Sequence, residues 1–162
     1  MSKRRVIGKT WWAQRWLDSL QGCDFENRLP RGKSYYAQGR LIEIEFNAKA
    51  CRIEALVEGS QYYPYEVTLG LKPIDSEKAN ELINAIAENS EWVAALLDHR
   101  LPPEIAKVCE KLSIELFPTN MHSLSIDCTC PDSAHLCKHV ACVVYALADL
   151  IDTDPFIIFS LR

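Results

Sequence analysis

Apolar residues recur every three or four positions from residue 9 to 21, where Trp12, Trp16 and Leu20 fall one turn apart and Ala13 and Leu17 widen the face. That period predicts an amphipathic helix with Thr10 placed to cap it. Trp12 and Trp16 are expected in the core, and Trp11, off that face, on the surface. Residues 24–40, broken by Pro30 and Gly32, read as a loop. From residue 40 the period changes to two. Ile42, Ile44 and Phe46 alternate with Glu43 and Glu45, then Cys51, Ile53, Ala55 and Val57 with Arg52, Glu54 and Glu58, then Tyr63, Tyr65, Val67 and Leu69. With turns at Asn47-Ala48-Lys49 and Gly59-Ser60, the runs predict a three-stranded antiparallel meander with one buried face and one wet face. Helical spacing returns over 76–112. Ser76 is read as the cap for Ala79, Leu82, Ile83, Ile86 and Ala87, and Ser90 as the cap for Trp92, Val93, Leu96 and Leu97. Pro103 opens a third helix with Ile105, Val108, Cys109 and Leu112 inward. Residues 122–128 alternate again and predict a strand. After the turn Pro131-Asp132-Ser133, Val140, Val143, Val144, Leu147 and Ile151 predict a helix. The tail, 152–162, is apolar enough to pack on the sheet or the helices.

Composition narrows the class. A chain of 162 residues, 48% apolar, holds one or two domains, and it has no apolar run of membrane-spanning length. The start, Met1 to Arg5, is basic, but no apolar stretch follows it as in a secretory signal. Seven cysteines, an odd number with no mark of secretion, fit reduced thiols and a cytoplasmic location. Charge is uneven. Residues 1–40 carry nine basic and three acidic residues, net +6, and the remainder nine basic and nineteen acidic, net −10. Such an end suits contact with a polyanion or an acidic partner, although a solvated basic tail would show the same numbers. Arg28, Arg31, Lys33 and Arg40 are interleaved with Tyr35 and Tyr36, a pattern suited to phosphate contact plus base stacking. Together with Arg4, Arg5, Lys9 and Arg15 they form the candidate surface for DNA or RNA. The alternative is a surface loop pinned by its tyrosines.

The densest chemistry lies between residues 128 and 139. Cys128-x-Cys130 is followed, after six residues, by Cys137-x-His139. Three thiols and an imidazole make the four-ligand set of a closed structural zinc site. Cysteines at i and i+2 of a strand share a face. Cys137 and His139 fall at a helix start, where the positive end of the dipole favours a thiolate. Ordinary buried thiols, disulfides, or a Cys137–His139 nucleophilic pair are the competing readings. The last lacks an orienting third group and an oxyanion motif. His135 and Cys142 stand close enough to compete as ligands. A zinc held by three thiolates and a neutral imidazole carries −1, and Lys138, between two ligands, is placed to offset it.

Cys-x-Cys, a short spacer and Cys-x-His before an apolar helix resemble the SWIM zinc finger. Cys130-Pro131-Asp132 and Cys137-Lys138-His139-Val140 strengthen the likeness. The resemblance implies Cys128, Cys130, Cys137 and His139 as zinc ligands, a hairpin or loop followed by a helix, and a non-catalytic role in DNA binding or protein contacts. Beyond the finger, Gly8-Lys9-Thr10-Trp11-Trp12, Asn27-Arg28-Leu29-Pro30-Arg31-Gly32 and Asp154-Pro155-Phe156 resemble bacterial SWIM proteins that accompany SWI/SNF-type helicases. Relatives often run further past that last segment. The expected molecule is α+β: an N-terminal region, 1–115, with a helix, a three-stranded meander and a helical layer, then a zinc-bound strand-loop-helix with its tail, 116–162. Its expected role is a non-enzymatic zinc module that serves nucleic-acid or protein interactions beside a helicase. A pure protein-docking adaptor, or a cysteine-dependent enzyme, are the other classes. No membrane contact is expected.

Overall fold

The structure, a computed structural model, describes residues 6–24 and 27–162. Arg4 and Arg5 of the candidate basic surface lie outside the described residues. Strands β1 (Leu41–Asn47), β2 (Arg52–Val57), β3 (Tyr65–Leu71) and β4 (Leu124–Cys128) form one antiparallel sheet in that order. The α+β class holds, but the sheet has four strands and not three. The strand at the start of the finger joins the meander: Val67 pairs with Cys128, Leu69 with Ile126 and Leu71 with Leu124. The reason is that β3, apolar along its inner side, would otherwise leave a row of backbone amides and carbonyls unpaired at an edge.

Local exceptions to the alternation have causes. A bulge between Leu41 and Glu43 turns Ile42 outward, 59% exposed, while Leu41, Ile44 and Phe46 pair with inward Val57, Ala55 and Ile53. Cys51 sits in the β1–β2 turn with positive φ, exposed. Tyr63 precedes Pro64 and lies outside β3, 75% exposed.

Seven α-helices lie among the described residues: α1 (Trp11–Gln21), α2 (Arg28–Ala37), α3 (Ser76–Ala87), α4 (Ser90–Leu97), α5 (Pro103–Lys111), α6 (Lys138–Thr153) and α7 (Phe156–Ser160). The caps of α3 and α4 are Asp75 and Asn89, one residue before the expected serines. Ile83 and Leu97, expected inward, face solvent.

The expected loop at 24–40 is instead mostly α2. Pro30 falls in its first turn, where a missing N–H is no loss. The Asp24 carboxylate accepts hydrogen bonds from the amides of Arg28 (2.5 Å) and Leu29 (2.8 Å). Gly32 is there because α6 is close: a Cβ on it would lie 2.2 Å from Ala141 Cβ and 2.5 Å from the Ala141 carbonyl carbon.

Helix α6 is the centre of the core. Ten of its sixteen residues are buried, including Ala141, Cys142 and Ala148 on the sides away from the predicted stripe. It touches all four strands as well as α1 and α2. The Trp12 and Trp16 indoles donate to its Ile151 and Val144 carbonyls at 2.5 and 3.1 Å, so both rings are core, as expected. Trp11 is 37% exposed and donates to the Leu101 carbonyl. At the far end of α6, Asp152 accepts from the amides of Lys9 and Thr10. The tail packs: Ile158 and Leu161 are buried, and Leu161 O accepts from Leu71 N. No helix among the described residues is long and apolar enough to cross a membrane.

Candidate metal centre

Antiparallel order brings four chain segments to one end of the sheet. The start of β1, the end of β2, the start of β3 and the end of β4 meet there, and α6 begins beside them. β4 delivers Cys128, the two-residue continuation delivers Cys130, and the start of α6 delivers Cys137 and His139. The ligand atoms of these four lie within 4.8 Å of one another. His139 Nδ1 is 3.9 Å from Cys128 Sγ and 3.8 Å from Cys137 Sγ. Around a tetrahedral zinc, ordinary bond lengths give edges of about 3.8 Å between sulfurs and about 3.5 Å between sulfur and nitrogen. The two sulfur–nitrogen distances lie within a few tenths of an ångström of that edge and the whole set within about 1 Å, so these four residues are positioned to hold a metal ion such as zinc.

Electrostatics agree with that fit. Cys137 is the N-cap of α6 and its sulfur accepts from the Val140 amide at 3.4 Å. A hydrogen bond from Cys128, and further ones from His139 and Val140, pull the Cys137 thiol far below its ordinary value. The same bond to Cys137, then burial, pushes Cys128 up. A thiolate held at the helix start beside two further thiols is donor chemistry that suits a bound cation. His139 is 97% buried and, among the described residues, its Nε2 has no hydrogen-bond partner. With Nδ1 on a metal, Nε2 carries the ring proton, and what surrounds it is aromatic. The Tyr65 ring lies 4.5 Å from the imidazole, tilted, and the Tyr35 ring 5.7 Å away, edge-on. Gly59 completes the wall, since a Cβ there would be 2.2 Å from Tyr65 Cε2 and 3.1 Å from His139 Nε2.

The competing ligands fall outside the cluster. Cys142 points into the core, fully buried, and burial pushes its thiol up to about 12. His135 is exposed on the loop between the two ligand pairs.

Residues 113–148 match the SWIM zinc finger family. That segment is a SWIM zinc finger. The chain is also similar to an uncharacterized protein of Mycobacterium tuberculosis, 37% identical over 161 residues, which are 99% of this chain and 57% of that protein. The chain thus spans little more than half of that relative's length. No solved structure matches it. Within this fold the SWIM ligands are not an appendage, because their strand and helix are sheet and core.

The candidate nucleic-acid residues separate. Arg28 is tied to the finger: its guanidinium lies 3.4 Å from the Asp132 carboxylate, with both side chains largely buried. Tyr35 sits on α2 against His139, with the Arg40 guanidinium 4.8 Å and the Lys138 ammonium 5.2 Å from its ring centre. Tyr36 donates to Asp149 at 2.8 Å, fastening α2 to α6. Lys33 lies over the Tyr145 ring, and Arg31 is exposed on the same helix. Lys9 is not with them. It lies by Asp152 near the C-terminal end of α6, about 20 Å of helix from Lys138. Arg15 lines a groove beside Trp11 and Phe117.

Sequence reading missed Gly59 and Tyr65 as walls of the centre. The signal was a glycine in the turn preceding an aromatic strand start. The outer sheet face is acidic: Glu45, Glu54, Thr68 and Asp127 stand in one row across the strands, beside Glu43 and Glu66. Among the described residues, Arg52 answers them there, on Glu54 at 2.8 Å, and Asn47 donates to the same carboxylate.

Proposed function

We propose that the chain is a non-catalytic zinc-stapled interaction module that contacts nucleic acid at the zinc end of the sheet, as an accessory of a SWI/SNF-type helicase. Four protein ligands fill a tetrahedral ion and leave no open position for substrate, which favours a structural metal. The carrying observation is the set of cations formed by Arg31 and Lys33 on α2, Arg40 just before β1 and Lys138 at the start of α6, with Arg40 and Lys138 both over the Tyr35 ring. Acidic groups also lie near them: Glu58, whose amide donates to the Arg40 carbonyl, Asp149, which accepts from Tyr36 on α2, and Asp24, which caps α2. The basic group supports only weak, salt-sensitive contact with a few phosphates, and the helicase supplies the remaining affinity. The acidic outer sheet face turns a polyanion away from the other side.

The test is a salt titration with single- and double-stranded DNA on wild type and on a variant carrying Arg31→Gln, Lys33→Gln and Arg40→Gln. Arg28 stays, because it holds the finger loop. Wild type should bind at low salt and the variant about tenfold more weakly, with a shallower salt slope. Equal binding by both, with zinc content unchanged, removes the nucleic-acid reading and leaves protein docking. Co-purification with the helicase, retained after nuclease treatment, tests the partner.

A further inference from the structure

We propose that the β2–β3 loop is a stacking site for unpaired nucleobases, so that the nucleic acid this module takes is single-stranded. The proposal rests on the nucleic-acid reading above and names its substrate class. Tyr62 and Tyr63 are 92% and 75% exposed, the two highest values among the exposed large apolar residues described. Their rings meet edge to face, 5.1 Å apart at 89°, so the edge of one ring lies against one face of the other and the outer faces stay open to solvent. The loop that carries them is held at both ends. Val57 and Tyr65 are paired in register, Gly59 packs on Tyr65 and His139, and the Glu58 amide donates to the Arg40 carbonyl at 2.7 Å. Pro64 bars Tyr63 from helical backbone. Tyr63 is two residues from Tyr65, at most about 7 Å of chain from the ring that covers a zinc ligand.

This places two open aromatic faces at the same end of the sheet as Arg40 and Lys138. Stacking rings beside cations is the arrangement that holds single strands, because every base has a π-face and every link a phosphate. A duplex keeps its bases stacked inside and offers these rings nothing. An apolar protein partner would call for apolar neighbours around the pair, and the loop leads into it with Ser60 and Gln61 instead.

The experiment uses the full chain with zinc bound. Labelled oligothymidine of about 20 nucleotides and a hairpin duplex of similar length are titrated into wild type, a Tyr62→Ala/Tyr63→Ala variant and a Tyr62→Phe/Tyr63→Phe variant. The alanine pair should weaken oligothymidine binding about tenfold or more and leave duplex binding within about twofold, while the phenylalanine pair keeps wild-type affinity. Both side chains are exposed, so folding and zinc content should not change. If the alanine pair binds oligothymidine as wild type does, while the Arg31, Lys33 and Arg40 variant loses it, the stacking site falls and the electrostatic reading stands. If wild type binds neither probe at low salt, both fall, and the tyrosines belong to a protein contact.

Discussion

Replacing Gly32 by alanine sets two effects against each other. In an exposed helix interior the change gains about 1 kcal/mol from backbone propensity. Here the new Cβ would lie 2.2 Å from Ala141 Cβ, 2.5 Å from the Ala141 carbonyl carbon and 2.7 Å from the Cys142 nitrogen. Ordinary carbon contacts are about 3.5–4.0 Å, so α2 and α6 must part by more than about 1 Å. Two of the three obstacles are backbone, which cannot swing aside. Overpacking of this kind costs up to about 3 kcal/mol, which exceeds the propensity gain and leaves a net loss of about 2 kcal/mol. In urea, with a slope of about 2 kcal/mol/M, the midpoint should fall by about 1 M at unchanged slope. Zinc affinity should fall too, because α2 holds Tyr35 against His139. Adding Ala141→Gly should restore part of the loss, as a positive coupling in a double-mutant cycle. A Gly32→Ala chain as stable as wild type, or one that Ala141→Gly does not help, would refute the close helix contact.

Three further outcomes follow from the same geometry. A Cys128→Ser/Cys130→Ser variant should lose its zinc, about one ion per chain in wild type, and chelation should remove hydrogen-exchange protection from β2 and β3 together with α6; a sheet still protected after chelation would show that the finger folds apart from it. Gly59→Ala should drive the Tyr65 ring onto His139 and weaken zinc binding about tenfold in a chelator competition, and unchanged affinity would mean the ring has room to move. Burial raises the Glu115 carboxyl, but hydrogen bonds from Ser123 and Thr119 outweigh this and hold it below the ordinary carboxylate range. A lowered folded value means stability present above the unfolded value of about 4.3 and lost as pH falls through the folded one, so wild type should lose more urea stability between neutral and acid pH than Glu115→Gln; parallel curves would count against that role.

The metal ligands were legible in the sequence because their spacing is local: strand parity and a helix start bring four side chains together with no help from the rest of the chain. Trp12 and Trp16 were legible for the same reason. Four features were not. Pro30 and Gly32 read as loop signals, because a first-turn proline and a glycine pressed on another helix cannot be told from turn residues without knowing the neighbour. β4 read as part of a separate finger, because pairing between Val67 and Cys128 is a long-range choice made by the unsatisfied edge of β3. The second buried side of α6 was hidden by its small residues, Ala141, Cys142 and Ala148, which carry little periodic signal. Tyr63 read as a strand residue because alternation alone ignores the proline that follows it.

Since the core closes on α6, the order of synthesis sets when folding can finish. By residue 137 the ribosome has delivered α1, α2 and every strand, yet Trp12, Trp16, Ile53 and Val67 still lack the helix they share. Until α6 is made, the apolar face of the sheet stays open to water. The ligand set is also incomplete until His139 is made. The ligand set at His139 is therefore complete before the core can close, which waits for Val144 and Ile151, the residues that receive the Trp16 and Trp12 indoles. A chain stalled before α6 would be left as an open hairpin sheet exposed to proteolysis, and one starved of zinc at that moment would meet the same fate with its sequence complete.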